Sequence, residues 1–133
     1  MYQITAVFNK HCLNDVLKEL YDNGIEGVTV MDVVGKGGSG QTQTDGQPDL
    51  YEKVMLLIVV SNDHFKETAM EAIRSNTQDL EHGAGKMWVT PVLEVERIRT
   101  GEKNADALTT SQNTTPHETP SNTFFTAVDT PAT

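Results

Sequence analysis

The chain has little that would tie it to an oxidising compartment, a membrane or a polyanion. It carries one cysteine, Cys12, so no internal disulfide can form, and a lone thiol suits a reducing cytosol. Ten lysines and arginines stand against nineteen aspartates and glutamates, a net charge of −9 with a sequence pI of about 4.7. That balance disfavours general binding to nucleic acid or to anionic membranes, so any anion site must be local. No apolar run approaches membrane-spanning length, and the opening Met1-Tyr2-Gln3-Ile4-Thr5-Ala6-Val7-Phe8 is too short and too polar for a signal peptide. A cytoplasmic protein without direct membrane insertion is expected. Catalytic sets are lacking as well: no Ser/His/Asp or Cys/His set and no paired carboxylates gather near the basic residues described next, so no enzyme is expected. For metal, His11 beside Cys12 is the one suggestive pair, and adjacent residues rarely converge on one ion, so no metal site is assigned.

What is there centres on Gly83 to Leu108. This stretch opens with the turn Gly83-Ala84-Gly85-Lys86, runs on through an apolar strand, and closes with Arg97 and Arg99. In an extended strand, residues i and i+2 share a face, so the two arginines are expected to project together, with Lys86 adding a third charge. Clustered guanidiniums are stable mainly beside an anion, and phosphate suits their planar fork of donors, while glycines let backbone N–H groups approach it. Two readings follow: a phosphate-binding cleft, or basic residues decorating a solvated strand end. G-x-G-K alone lacks the remainder of a P-loop.

At 133 residues the chain is long enough for one domain with a real core, placed at residues 1–108. Tyr2 to Phe8 alternates and reads as a strand, and Leu13 to Asn23 places Leu13, Val16, Leu17, Leu20 and Tyr21 at helical spacing with Gly24 as its stop. Gly27 to Val34 is β-branched and reads as a second strand. It runs into the glycine-dense Gly35-Lys36-Gly37-Gly38-Ser39-Gly40, the start of a loop to about Leu50 that is too long for a tight hairpin and on its own reads as linker rather than phosphate cradle. Glu52 to Val60 looks like a strand buried on both faces, with Lys53 at its entry as a further charge for the anion. Ser61-Asn62-Asp63 offers N-cap chemistry to a helix whose Phe65, Ala69, Ala72 and Ile73 face the core.

The order is strand, helix, strand, strand, helix, strand, an α+β ferredoxin-like βαββαβ sandwich with both helices on one face of an antiparallel sheet. The other face has no helix to cover it, and Met31, Trp88 and several valines there make self-association the expected cover. Pro91 lacks an N–H and argues for an edge strand or a bulge. Residues 109–133, rich in Thr, Ser, Asn and Pro, read as a disordered tail, in which Phe124-Phe125-Thr126-Ala127-Val128 is either a short docking segment or a stray apolar patch.

Three blocks carry a family resemblance: Gly24-Ile25-Glu26-Gly27-Val28-Thr29-Val30; Val33-Val34-Gly35-Lys36-Gly37; and Gly83-Ala84-Gly85-Lys86 with Arg97-Ile98-Arg99-Thr100-Gly101-Glu102. In order and spacing they resemble the signature segments of the PII signal-transduction family over roughly residues 1–108. The resemblance implies a homotrimer with ATP, ADP or AMP held in the clefts between subunits. It also implies a loop between the second and third strands, the T-loop, that signals to a target protein such as a membrane transporter. Gly35 and Gly37 match the glycines of the T-loop base with Thr29 beside it, and Lys53 the lysine where that loop rejoins the sheet. Gly83, Gly85 and Lys86 match the phosphate-binding turn, and Arg97 and Arg99 the arginines of the last strand. Lys36, Gly38, Val59 and Ala84, beside these positions, are counted with the expected nucleotide site. No bound cofactor is implied beyond the nucleotide ligand.

The chain departs from the family pattern after the second glycine of the T-loop base, where Gly38 and Ser39 replace a glutamine and Gln41 is out of register. The loop is shorter and lacks the tyrosine-bearing apex. These departures shift the expectation from 2-oxoglutarate sensing to a divergent PII-like sensor of the adenylate state. Bicarbonate is then a candidate second anion near Lys53, and inorganic carbon or metal-ion homeostasis the setting. The alternative carried forward is a CutA-like trimeric metal-binding or tolerance protein, which shares the architecture but does not need Lys86, Arg97 and Arg99 together. An acylphosphatase-like enzyme is disfavoured because Asn9-Lys10-His11 has no glycine-rich arginine turn.

Overall fold

The structure is a computed structural model and describes residues 1–36, 50–78 and 84–108. Tyr2–Asn9 (β1), Thr29–Gly35 (β2), Tyr51–Val60 (β3) and Lys86–Pro91 (β4) form one antiparallel sheet in the order β2-β3-β1-β4, with Leu13–Asp22 (α1) and Asp63–Asn76 (α2) between them in sequence. The ferredoxin-like expectation holds. β1 and β3, the strands with the longest apolar runs, occupy the centre, where a strand needs partners on both sides.

Residues paired directly across strands share a face, and register therefore sorts the sheet into two sides. Ile4, Ala6 and Phe8 of β1 lie opposite Ile58, Leu56 and Val54 of β3, and all six are buried against the helices. The helices contribute Val16 and Leu20 from α1, and Phe65, Ala69, Ala72 and Ile73 from α2. Burying side chains of this size stabilises each by about 1.5–3 kcal/mol, so this layer dominates folding.

Both helix ends follow their sequence signals. Asn62 accepts a hydrogen bond from the Phe65 N–H at 3.0 Å, the N-cap expected of it, worth about 1 kcal/mol. At the end of α1, Gly24 turns left-handed (φ 89°), its N–H reaches the Tyr21 carbonyl, and the Ile25 N–H reaches that of Leu20, a Schellman closure with Ile25 and Leu20 both buried. The α1–α2 pair is tied by the Asn76 amide donating to the Glu19 carboxylate at 2.8 Å.

Several expectations need correction. Tyr21 is 64% exposed rather than core, because it sits about 120° around the helix from the Val16–Leu20 stripe. The β3 strand is buried along one face; on the other, Lys53 is buried while Met55, Leu57 and Val59 are half-covered. The largest correction is at β4. It ends at Pro91 instead of running to Arg99, because its partner β1 begins at Tyr2 and only one more bond, from the Val92 N–H to the Met1 carbonyl, can follow. Pro91 thus closes an edge strand, as its missing N–H suggested. The tail beyond residue 108, including the Phe124–Val128 segment, lies outside the described residues.

Candidate functional site

After β4 the chain makes a small hairpin. Glu96 bridges Lys103, the Arg97 N–H donates to the Glu102 carbonyl at 2.8 Å, and the Gly101 N–H returns to the Arg97 carbonyl at 2.7 Å. Gly101 (φ 77°) supplies the left-handed residue such a turn needs, and Asn104 (φ 55°) a second one where the chain leaves the hairpin for the next helix. Lys103 binds Glu94 at 2.7 Å and Glu96 at 3.1 Å. Its hydrogen bond to Glu94 holds the ammonium above, and the Glu94 carboxyl below, their ordinary pKa ranges. A short 3-10 helix, Asn104–Leu108, then lies against the sheet face that the helices leave open.

This local geometry separates the two arginines expected to share a face. Arg97 is half-buried and points at its own chain, with Nη1 2.6 Å from the Glu102 carboxylate and Nη2 donating to the Ala107 carbonyl at 3.0 Å. Arg99 sits in the exposed turn Ile98–Thr100 and makes no ion pair or side-chain hydrogen bond among the described residues. Thr100-Gly101 was the readable signal for this turn, and the assumption of a continuous strand hid it.

The predicted ligands fall into three groups. Arg97, Thr29 and Val59 line an open-face cavity of about 460 Å³ together with Gln3, Gly27, Met31, Leu57, Ala107 and Leu108. Its floor is largely apolar and Arg97 is its one charge. Nothing lies within 4 Å of where a Gly27 Cβ would stand, so the fold itself leaves space there.

Ala84, Gly85 and Lys86 line a second cavity of about 330 Å³ between β4 and the end of α2, with Val7, Thr77 and Gln78 among its walls. Here glycine is obligatory: Gly85 has φ 100°, and a Cβ would meet the Val7 carbonyl oxygen at 2.1 Å. Lys86 is exposed and has no ion pair among the described residues. Arg74, which sequence reasoning missed, adds a second cation to this wall. Its position in the last turn of α2, just before the segment leading to Gly83, was the available clue.

Lys53 forms the third group. It is 5% exposed, its Nζ donates to the Asn9 Oδ1 at 2.7 Å, and its chain passes under Gly35, whose Cβ would make an ordinary 3.5 Å contact with the Lys53 Cδ. Beside it Lys10 and Asp32 pair at 3.2 Å along a groove of about 530 Å³ with Val33, Val34 and Glu52. An ammonium this buried, held by a neutral amide, is costly unless further acceptors reach it. Lys36 is exposed at the end of β2, and Gly37, Gly38 and Gly83 lie outside the described residues. No group of three or more His, Cys, Asp or Glu side chains among the described residues is placed to hold a metal ion.

This combination of fold and basic turns has counterparts among known proteins. The family model described as Nitrogen regulatory protein P-II matches residues 1–102. The chain belongs to the P-II family. Nitrogen regulatory protein P-II 1 of Methanothermobacter thermautotrophicus is 41% identical over 113 residues, covering 81% of this chain and 97% of that protein. Nitrogen regulatory protein P-II of Azospirillum brasilense is 36% identical over 117 residues, and that of Pasteurella multocida 38% over 113, each covering 81% of this chain and all of the relative. The P-II match covers both basic segments, the Gly85–Lys86 turn and the Arg97–Arg99 hairpin. The chain is thus a P-II-type regulatory protein, and among its described residues no helix is long and apolar enough to cross a membrane.

Proposed function

We propose that this P-II protein works without turnover as a sensor of adenine nucleotides, binding ATP, ADP or AMP in clefts between the subunits of a homotrimer. In this reading the phosphates lie between the Gly85–Lys86 turn of one subunit and the Arg97–Arg99 hairpin of its neighbour, and the purine takes the apolar cavity floored by Leu57 and Val59. The observation that carries the reading is the separation of the cations within one chain. Lys86 and Arg97 line two cavities that share no residue, and Lys86 and Arg99 have no counter-ion among the described residues. An acidic chain keeps such cations unpaired at a cost in lost pairing energy, and an anion held between two copies would offset it. The exposed Met31 and Trp88 on the open face supply apolar surface for the copies to bury.

Occupancy would be reported by the segment between β2 and β3, which leaves the sheet at Gly35 and returns at Tyr51 beside Lys53. Its target would be another protein, such as a membrane transporter in inorganic carbon or metal-ion homeostasis. Bicarbonate would be a second anion at Lys53, whose ammonium donates to the neutral Asn9 amide. The relatives are named for nitrogen regulation, and control of a metabolic target is the part carried over.

Calorimetric titration of the full chain with ATP, ADP and AMP tests the proposal. At least one should bind with micromolar affinity, about 7–8 kcal/mol, at one site per chain, while sedimentation reports a trimer. Arg99→Ala and Lys86→Ala should each weaken binding tenfold or more, about 1.4 kcal/mol, since each removes a charge-assisted contact. Absence of binding by all three nucleotides would overturn the reading.

A further inference from the structure

The guanidinium proposed to meet phosphate already has an anion. Hairpin pairing sets Glu102 opposite Arg97, and the Glu102 Oε1 accepts from Arg97 Nη1 at 2.6 Å and from the Thr100 hydroxyl at 2.8 Å. The other terminal nitrogen donates to the Ala107 carbonyl at 3.0 Å. Both ends of the fork are engaged by groups within ten residues of Arg97, so the arrangement needs no second subunit. It also links two places: Ala107 and Leu108 wall the open-face cavity that Arg97 caps.

We propose that Glu102 is a built-in counter-anion that nucleotide phosphate must displace from Arg97, and that this displacement undocks Ala107 and Leu108 from the open sheet face. The inference rests on the reading of Arg97 as a phosphate ligand and adds to it a regulatory element. Three features support it. The Arg97 and Glu102 side chains are 36% and 29% exposed, so solvent screens the pair and a polyphosphate, with more charge than one carboxylate, can outcompete it. Glu102 and a phosphate both seek the same planar donors, and two anions on one guanidinium repel each other. The 3-10 helix is short, and its Asp106 and Ala107 N–H groups reach the Lys103 carbonyl at 3.1 and 3.4 Å. Reciprocal Asn104–Val95 hydrogen bonds of 2.7 and 3.1 Å anchor its start to the hairpin, and the Arg97 bond to the Ala107 carbonyl holds its far end. Removing the Arg97 bond frees that far end while Asn104 stays anchored.

Glu102→Gln separates charge from shape, because the amide oxygen can still accept from Arg97 and Thr100. Its affinity for ATP should rise about threefold over the wild type, with a smaller gain for ADP and the least for AMP, following the charge of the ligand. In the wild type, saturating ATP should accelerate hydrogen exchange at the Asp106 and Ala107 amides. Thr100→Val, which removes the hydroxyl steadying Oε1, should move affinity in the same direction by less, and serves where Glu102→Gln fails to fold. A wild type that binds no nucleotide sinks the nucleotide reading and this inference together. A wild type that binds, with variants that bind all three nucleotides no more tightly or with exchange at Ala107 unchanged by ATP, sinks this inference alone.

Discussion

The sheet with its two helices and the segment after Pro91 are held by different physics. In the first, Phe8, Leu20, Leu56 and Ile58 come from distant parts of the chain and are at most 1% exposed. In the second, nearly every polar contact spans ten residues or fewer: the hairpin bonds, the Lys103 pairs with Glu94 and Glu96, and the Arg97 links to Glu102 and Ala107. Two of its large apolar side chains are almost bare, Leu93 at 94% and Ile98 at 95% exposure. Burial by non-local packing gives one deep minimum that is hard to perturb, whereas screened polar contacts between near neighbours can be exchanged for others at small cost. The difference teaches that the scaffold is fixed by non-local burial, while the segment bearing Arg97 and Arg99 is held by contacts that exchange at small cost. The proposed nucleotide response draws on that division, since a ligand shifts only what is close to balance.

The comparison predicts a graded series of effects. Phe8→Ala, cutting the scaffold, should lose about 3–5 kcal/mol in urea unfolding followed by circular dichroism. A loss under about 1 kcal/mol would show that the buried layer is not what holds the fold. Two of the left-handed glycines, Gly85 and Gly101, come next. Gly85→Ala forces a Cβ into the Val7 carbonyl and should cost about 2–3 kcal/mol, whereas Gly101→Ala, with open space around it, should cost about 1 kcal/mol, the strain of its backbone alone. Equal losses would erase the distinction between a turn clamped to the sheet and a turn in solvent. Smallest of all, Ile98→Ser should change stability by under about 0.5 kcal/mol when measured at concentrations where the chain is monomeric. A larger change there would mean that the hairpin packs on its own scaffold after all.

Legibility in the sequence followed the same line. Tyr2–Asn9, the α2 stripe and its Asn62 cap, and Gly24 as the stop of α1 were readable because periodicity and capping are local signals that burial then reinforces. Tyr21 misled because a side chain at the margin of a helical stripe is apolar in sequence whether or not anything stands over it. The end of β4 misled for a different reason: the apolar pattern continued past Pro91, but the strand it needed for pairing did not. For the candidate site, residue types were readable and their grouping was not. The Gly85–Lys86 turn was correctly placed at a strand entry, yet Arg74 was overlooked, and Arg97 was read as a free cation although Glu102, five residues on, already faces it.

By itself the sequence determined the order of strands and helices, the core faces of β1 and α2, the glycine stop of α1 and the P-II signature residues, since each depends on neighbours within a few positions. Only the tertiary structure decided that β4 ends where β1 runs out, that Lys86 and Arg97 line separate cavities, and that Arg97 is already engaged by Glu102 and Ala107. Pairing partners and ion pairs are properties of positions in space, and a linear pattern carries no information about which strand will be too short or which carboxylate a turn will swing into reach.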